Sequence, residues 1–223
     1  MDSFPPDELL NIRTLLEELS QETLPEWERL APHIQRVTAE TGSLLFEQGE
    51  VYPFISLMME GYVELLASDL HGGEWVISIA EPGQLVGSIP ALRPAKMQPL
   101  LDLMPAYSQI YQEMTEGVST YTARVIAPSV LIRVPFAELE AMAADHTEWG
   151  ALLLRQVYPF ASLKELRHRE FLTLSPLERY ERFRRDRANL LTVVTKRSIA
   201  SMLGITPESL SRILGRLATR TRE

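Results

Sequence analysis

The 223-residue sequence predicts an α+β protein: an antiparallel β sandwich or barrel entered through N-terminal helices, then a long helix and a helix–turn–helix module. Three observations predict it. Between His33 and about Pro135, short β-rich runs such as YVELLAS and EWVISIA are punctuated by Gly42, Gly49, Gly61, the pair Gly72–Gly73, Gly83 and Gly87. On either side of that stretch, apolar residues recur at helical spacing. Near the C-terminus, SIASMLGITPESLSRIL joins two short helical patterns through a glycine and a proline. These textures divide the chain into residues 1–140, 141–172 and 173–223.

Taken in order, Pro6 and Asp7 open a helix whose apolar residues Leu9, Leu10, Ile12, Leu15, Leu16 and Leu19 recur at helical spacing. A second short helix spans Pro25 to Leu30. The β stretch is interrupted by PAKMQPLLDLMPAYSQIYQEMTEG, Pro94 to Gly117, which reads as helix or loop inserted into a β domain. FAELEAMAADH restores the helical period. A longer helix then runs to about Phe171, where Trp149, Leu153, Gln156, Phe160, Leu163 and Arg167 alternate by four and three, the spacing of a dimer seam. A core-facing helix has the same spacing. Pro159 should kink it or remove one hydrogen bond. Ser175, Pro176 and Glu178 form the start signal of the next helix, a capping box with proline at the first position.

Hydrophobic residues at 45% and charged residues at 23% exclude wholesale disorder. The absence of cysteine excludes disulfides, cysteine-held zinc and iron–sulfur clusters, and fits a cytoplasmic location. MDSFPPDELL lacks the basic and apolar run of a signal peptide, and no apolar stretch approaches a membrane span. The net charge of −8 speaks against a general nucleic-acid binder, yet its distribution reverses that reading. From Lys164 onward there are 14 Lys and Arg against 7 Asp and Glu, a net of +7; the preceding residues carry 8 against 23, a net of −15. A basic terminal module beside an acidic body suits attraction to phosphate at one end only.

Within that module Thr195 is placed to cap a helix from Lys196 to Leu203, and Gly204 to end it. Thr206 caps the next helix and Pro207 takes its first position. Ile199 and Leu203 form the apolar stripe of the first helix; Leu210, Ile213, Leu214 and Leu217 form that of the second, with Ala200 at the crossing and Ile205 at the corner. The stripe turns Glu208, Ser211 and Arg212 outward together. In a helix–turn–helix, this part of the second helix meets base edges in the major groove. Arginine can donate twice to guanine, and glutamate can accept from cytosine N4. Lys196, Arg197, Thr206, Ser209 and Arg216 are candidates for backbone phosphates, which position without reading sequence. A surface Glu208–Arg212 pair on an ordinary helical hairpin is the plainer alternative.

TKRSIASMLGITPESLSRILGRL resembles the helix–turn–helix of the CRP/FNR superfamily of bacterial transcription regulators, and LERYERFRRDRANLLTVVTKRSIASMLG resembles a subgroup common among Bacteroidetes. GSLLFEQGE and EGYVELL look like strands of that family's β-roll, which is similar to cyclic-nucleotide-binding domains. The resemblance implies a β-roll sensor, a long dimer helix and a DNA-binding domain. It also implies a homodimer, double-stranded DNA and RNA polymerase as partners, and no enzymatic activity. Glu208, Ser211 and Arg212 match the E-x-x-S-R pattern of the FNR branch, which implies TTGA-like half-sites in a palindrome.

Departures from the pattern shape the remaining expectations. The chain stops at LATRTRE, where many members continue into a wing, so wing contacts are expected to be absent. The stretch matching the cyclic-nucleotide cassette is VGS followed by YTARVIA. Gly87, Ser88, Tyr121 and Arg124 are therefore the candidate effector-pocket residues, with Ser88 where the family's ribose-binding glutamate is expected. No tight cyclic-nucleotide site and no other cofactor is expected. His33, His71, His146 and His168 are scattered, as surface or packing residues would be, and no metal site is expected. The alternative to a DNA-binding regulator is a small-molecule sensor whose terminal helices contact a protein partner. The absence of a phosphate loop, GxSxG or HExxH leaves an enzyme without support.

Overall fold

The structure is a computed structural model that describes residues 4–69, 71–92 and 117–220. The predicted insertion, Pro94 to Gly117, lies outside the described residues except for Gly117 itself. Helix α1 (Pro6–Ser20) buries Ile12 and turns Leu9, Leu15, Leu16 and Leu19 to the same side. It stops where Gln21 takes a left-handed φ of 56°. A short α2 (Trp27–Leu30) and a 3-10 turn (Ala31–His33) lead into the sheet.

Six strands occur among the described residues: β1 (Gln35–Ala39), β2 (Leu44–Phe46), β3 (Phe54–Ser68), β4 (Glu74–Ala80), β5 (Leu85–Val86) and β6 (Thr122–Pro135). All pair antiparallel, in the order β1-β6-β3-β4, with β2 also on β6 and β5 also on β3. The long β3 and β6 are the spine. Their register shifts near Glu60 and Tyr62, where Gly61 adopts φ +85°. A Cβ there would stand 2.2 Å from Ser129 Oγ and 2.4 Å from the Pro128 carbonyl, so glycine alone fits this bulge. The Ser129 hydroxyl uses the space, accepting from the Tyr62 amide at 3.1 Å.

Period-two alternation sorts the strand residues. Met58, Val63, Leu65, Ala123, Val125 and Leu131 point into the roll, where Phe46, Tyr52 and Tyr121 fill the interior. Phe46 and Tyr52 lie 4.3 Å apart, centroid to centroid. Leu57 and Ile132 point outward at one end, beneath α1 and α2. Leu66, Val76 and Ile79 point outward at the other, beneath the C-terminal helices.

After β5 a short α3 (Ile89–Leu92) precedes the undescribed stretch. β6 runs directly into α4 (Phe136–Asp145), then α5 (Thr147–Thr173). With 27 residues, α5 is roughly 40 Å long and carries Pro159 inside it. The terminal region comprises α6 (Pro176–Asp186), a 3-10 turn (Ala188–Thr192), α7 (Lys196–Met202) and α8 (Pro207–Arg220). The capping box at Ser175 is present: its hydroxyl accepts from the Glu178 amide and the Glu178 carboxylate accepts from the Ser175 amide at 2.8 Å. Among the described residues no helix is long and apolar enough to cross a membrane.

The packing corrects the N-terminal half of the six-residue seam anticipated on α5. Trp149 is fully buried in its own chain, stacked on Trp27 at 6.4 Å, and its indole N–H donates to the Pro25 carbonyl at 2.9 Å. Leu153 and Gln156 line an apolar cavity of about 70 Å³ between α1, the sheet and α5. Phe160 lies under the Lys164 ammonium, and Arg167 reaches into the terminal module. Only Leu163, 59% exposed, is a free apolar member of the series. The exposed apolar residues of this helix are instead Leu154, Val157, Tyr158, Leu163, Phe171 and Leu172. The 3.5-residue period was real; the N-terminal half of the face it marks is taken by the chain's own core.

Candidate nucleic-acid interface

The helix–turn–helix is built by local chemistry. Thr195 Oγ1 accepts from the Ser198 amide at 3.1 Å and starts α7. Gly204, at φ +64°, ends it, and the Ile205 amide returns to the Ala200 carbonyl at 3.0 Å. Thr206 Oγ1 then accepts from the Ser209 amide at 3.2 Å and starts α8. Ile199, Ala200, Met202, Leu203, Leu210 and Ile213 are buried together with Tyr180, Phe183 and Leu190, and Ile205, Leu214 and Leu217 pack on them. Ala200 is wholly buried, as a small residue at a helix crossing must be.

That packing leaves one ridge outside. Glu208, Ser211 and Arg212 are exposed, as are Lys196, Arg197, Thr206 and Arg216; Ser209 is half-buried. Arg212 donates to Ser209 Oγ at 3.1 Å, so the guanidinium folds back on the start of α8. The Glu208 carboxyl is held below the usual carboxylate range by its own backbone amide, then the Thr206 hydroxyl, with Arg212 adding attraction. The ridge therefore presents an ionised acceptor and a permanent fork of donors side by side. Thr206 and Ser209 spend their hydroxyls on the helix start, so they shape this end of the site first.

Residues that sequence reasoning did not assign to the turn hold it in place. The Phe171 ring, near the end of α5, lies against Gly204: a Cβ there would come within 2.6 Å of it. Arg167 and Arg179 flank that ring, each with its guanidinium 5.2 Å from the centroid. Arg167 donates to the Met202 carbonyl at 2.9 Å, and Arg179 to those of Leu203 at 3.0 Å and Leu174 at 2.8 Å. Two arginines thus satisfy the last carbonyls of α7 and tie the turn to α5. The local signal was basic residues in a helical run, which reads equally as a solvated surface.

The effector-pocket candidates separate. Gly87, Ser88 and Tyr121 meet: the Tyr121 hydroxyl donates to the Gly87 carbonyl, and Ser88 Oγ accepts from the Thr120 amide at 3.2 Å. Burial pushes the Tyr121 hydroxyl up, so it stays neutral. Arg124 does not join them. Three steps along β6 place it on the opposite face. There its guanidinium bonds Glu64 Oε1 at 2.9 and 2.6 Å and Glu74 Oε2 at 3.2 Å.

No family model and no curated protein matches the chain. Solved structures do. FixK2 from Bradyrhizobium japonicum is similar with a TM-score of 0.61 at 16% identity, over 84% of this chain and 86% of that one. CLP from Xanthomonas campestris, a c-di-GMP-responsive global regulator, is similar with a TM-score of 0.64 at 15% identity, over 87% and 91%. A CooA mutant from Carboxydothermus hydrogenoformans gives 0.61 at 10% identity, over 85% and 78%. At these identities the likeness is one of fold. The shared fold, an antiparallel β domain followed by helices and a helix–turn–helix, is the one that the CRP/FNR resemblance implies.

Proposed function

We propose that this chain is a cytoplasmic, non-enzymatic transcription regulator that binds palindromic DNA as a homodimer. The observation that carries the reading is the exposed ridge of Glu208, Ser211 and Arg212 at the start of α8. Arg212 would donate to guanine, Glu208 would accept from cytosine N4, and Ser211 would reach a base or phosphate. Lys196, Arg197 and Arg216 would neutralise phosphates, with Thr206 and Ser209 at the helix start. RNA polymerase is the further partner this role implies. The exposed apolar residues Leu154, Val157 and Tyr158 on α5 support pairing of two chains along that helix.

The reading does not include a cyclic nucleotide. Among the candidate pocket residues the one cation is Arg124, and it is committed to Glu64 and Glu74 on the outer face. Ser88 and Tyr121 spend their hydroxyls on neighbouring backbone. Any effector would act by binding two placements of the terminal modules unequally.

Selection from a random duplex pool tests this reading. It should enrich an inverted repeat with TTGA-like half-sites about one helical turn apart. Affinity for it should fall steeply with salt, at a logarithmic slope of about −0.9 per phosphate contacted. Enrichment of no sequence, together with salt-independent capture of a protein, would instead make the terminal helices a protein-docking module.

A further inference from the structure

The terminal module touches the roll along β3 and β4, and one group at that contact is unusual. Glu64 is 3% exposed, a carboxylate on β3 buried where α7 meets the sheet. Oε1 accepts twice from Arg124, its cross-strand partner on β6. Oε2 faces the other way and accepts from the Ser198 hydroxyl at 3.0 Å, across 134 residues of sequence. Ser198 lies in the first turn of α7, next to Lys196 and Arg197. The contact carries four more directional pairings. The Val76 amide donates to Ser201 Oγ at 2.6 Å, Arg187 donates to the Ile79 carbonyl at 2.9 Å, and Arg187 and Asn189 both bond the Glu81 carboxylate.

We propose that Glu64 is a positioning residue for DNA binding: it fixes the orientation of α7, and with it the recognition ridge, on the roll. This rests on the DNA-binding reading. The physical reason is direction. The apolar patch of Leu66, Val76 and Ile79 would accept the helices at many angles, because burial is non-directional. A buried charge is not tolerant in this way. Rotating α7 off Ser198 would strip a donor from a desolvated carboxylate, so one placement is selected over its neighbours. Arg124 holds the carboxylate from behind, with its own head half in solvent. It also lies between Ala123 and Val125 on β6, both buried inside the roll, so the latch and the interior of the roll share a strand. In a dimer on a palindrome, the placement of each module sets the distance and rotation between half-sites.

The test uses the full chain. It has no cysteine, so Glu60→Cys and Thr219→Cys introduce two unique spin-label sites, one on β3 and one on α8. With labelled chains diluted in unlabelled ones, the distance within a chain should be a single narrow distribution. Ser198→Ala, which leaves the Glu64–Arg124 pair intact, and Glu64→Ala should both broaden it. Glu64→Gln, which can still accept from Ser198, should stay nearer the parent. On DNA, the parent should lose about tenfold in affinity for each base pair added to or removed from the spacer, a loss of roughly 1.4 kcal/mol. Ser198→Ala should flatten that dependence to about threefold or less, with affinity for an isolated half-site unchanged. Unchanged distances and an unchanged spacer profile in Ser198→Ala would overturn the proposal, even if Glu64→Ala does not fold. A narrow distribution in the parent that broadens in Ser198→Ala, with no DNA bound by either, would leave the placement role standing and defeat the DNA reading alone.

Discussion

The same sheet is covered twice on its outer face, and the two covers are built differently. At one end α1, α2, α4 and the root of α5 lay carbon on carbon: Ile12, Leu30, Ile34, Leu139, Met142, Trp149 and Leu152 close over Leu57 and Ile132. Its charged contacts, such as Arg29 with Asp145 and Arg36 with Glu8, stay exposed at the rim. At the other end the terminal module places polar groups in the contact itself, with Glu64, Ser198, Ser201, Arg187 and Glu81 around the apolar patch of Leu66, Val76 and Ile79. Burial holds elements together with little regard for angle; hydrogen-bonded charges fix angle. The first cover is suited to a permanent core, the second to a placement that matters and can change.

The largest way to break this comparison is Trp149→Ala. It removes a fully buried indole and leaves the Pro25 carbonyl without its donor. Urea unfolding should show a loss of about 3–5 kcal/mol. A loss under about 1 kcal/mol would mean that the N-terminal cover is no firmer than a surface contact.

A smaller effect sharpens the other side. Gly204→Ala forces alanine into a left-handed conformation, at about 1–2 kcal/mol, and drives its methyl into the Phe171 ring. Phe171→Ala removes the clash but not the backbone strain. A double-mutant cycle should therefore show coupling of about 0.5–3 kcal/mol between the two sites. Additivity would detach the turn from α5.

The smallest effect concerns the rim of the first cover. His146 and then Arg29 hold Glu26 below its usual range, and Arg29 does the same for Asp145. Their contribution to stability is present above the ordinary carboxylate values and is lost as pH falls through the depressed ones. Arg29→Ala should raise the acid-unfolding midpoint slightly and leave stability at neutral pH nearly unchanged, because the pairs are exposed. A large loss at neutral pH would assign the cover to its ion pairs.

What could be read from the residues was local. Thr195, Gly204, Thr206 and Pro207 each signal within four positions, and the helix pair followed from them. The capping box at Ser175 was legible for the same reason. The α5 seam was not, because period identifies a face without saying what covers it. Trp149 finds Pro25 across 124 residues, and nothing near it in sequence says so. Arg124 could be placed by counting strand steps from Tyr121, but its partner depended on a β3–β6 register that shifts three times around Gly61. The Glu64–Ser198 bond had no local signature at all. Long-range polar contacts depend on topology, and one residue of slip would turn every one of those side chains to the other face.

The most direct measurement of the central claim compares parent and Arg212→Ala for binding to the selected palindrome and to a scrambled duplex, at matched salt. Arg212 is exposed and lies outside the core, so folding should be unaffected. The account predicts that affinity for the palindrome falls by about 1–3 kcal/mol per half-site while affinity for the scrambled duplex barely moves. A variant that keeps the full preference for the palindrome over the scrambled duplex would contradict it.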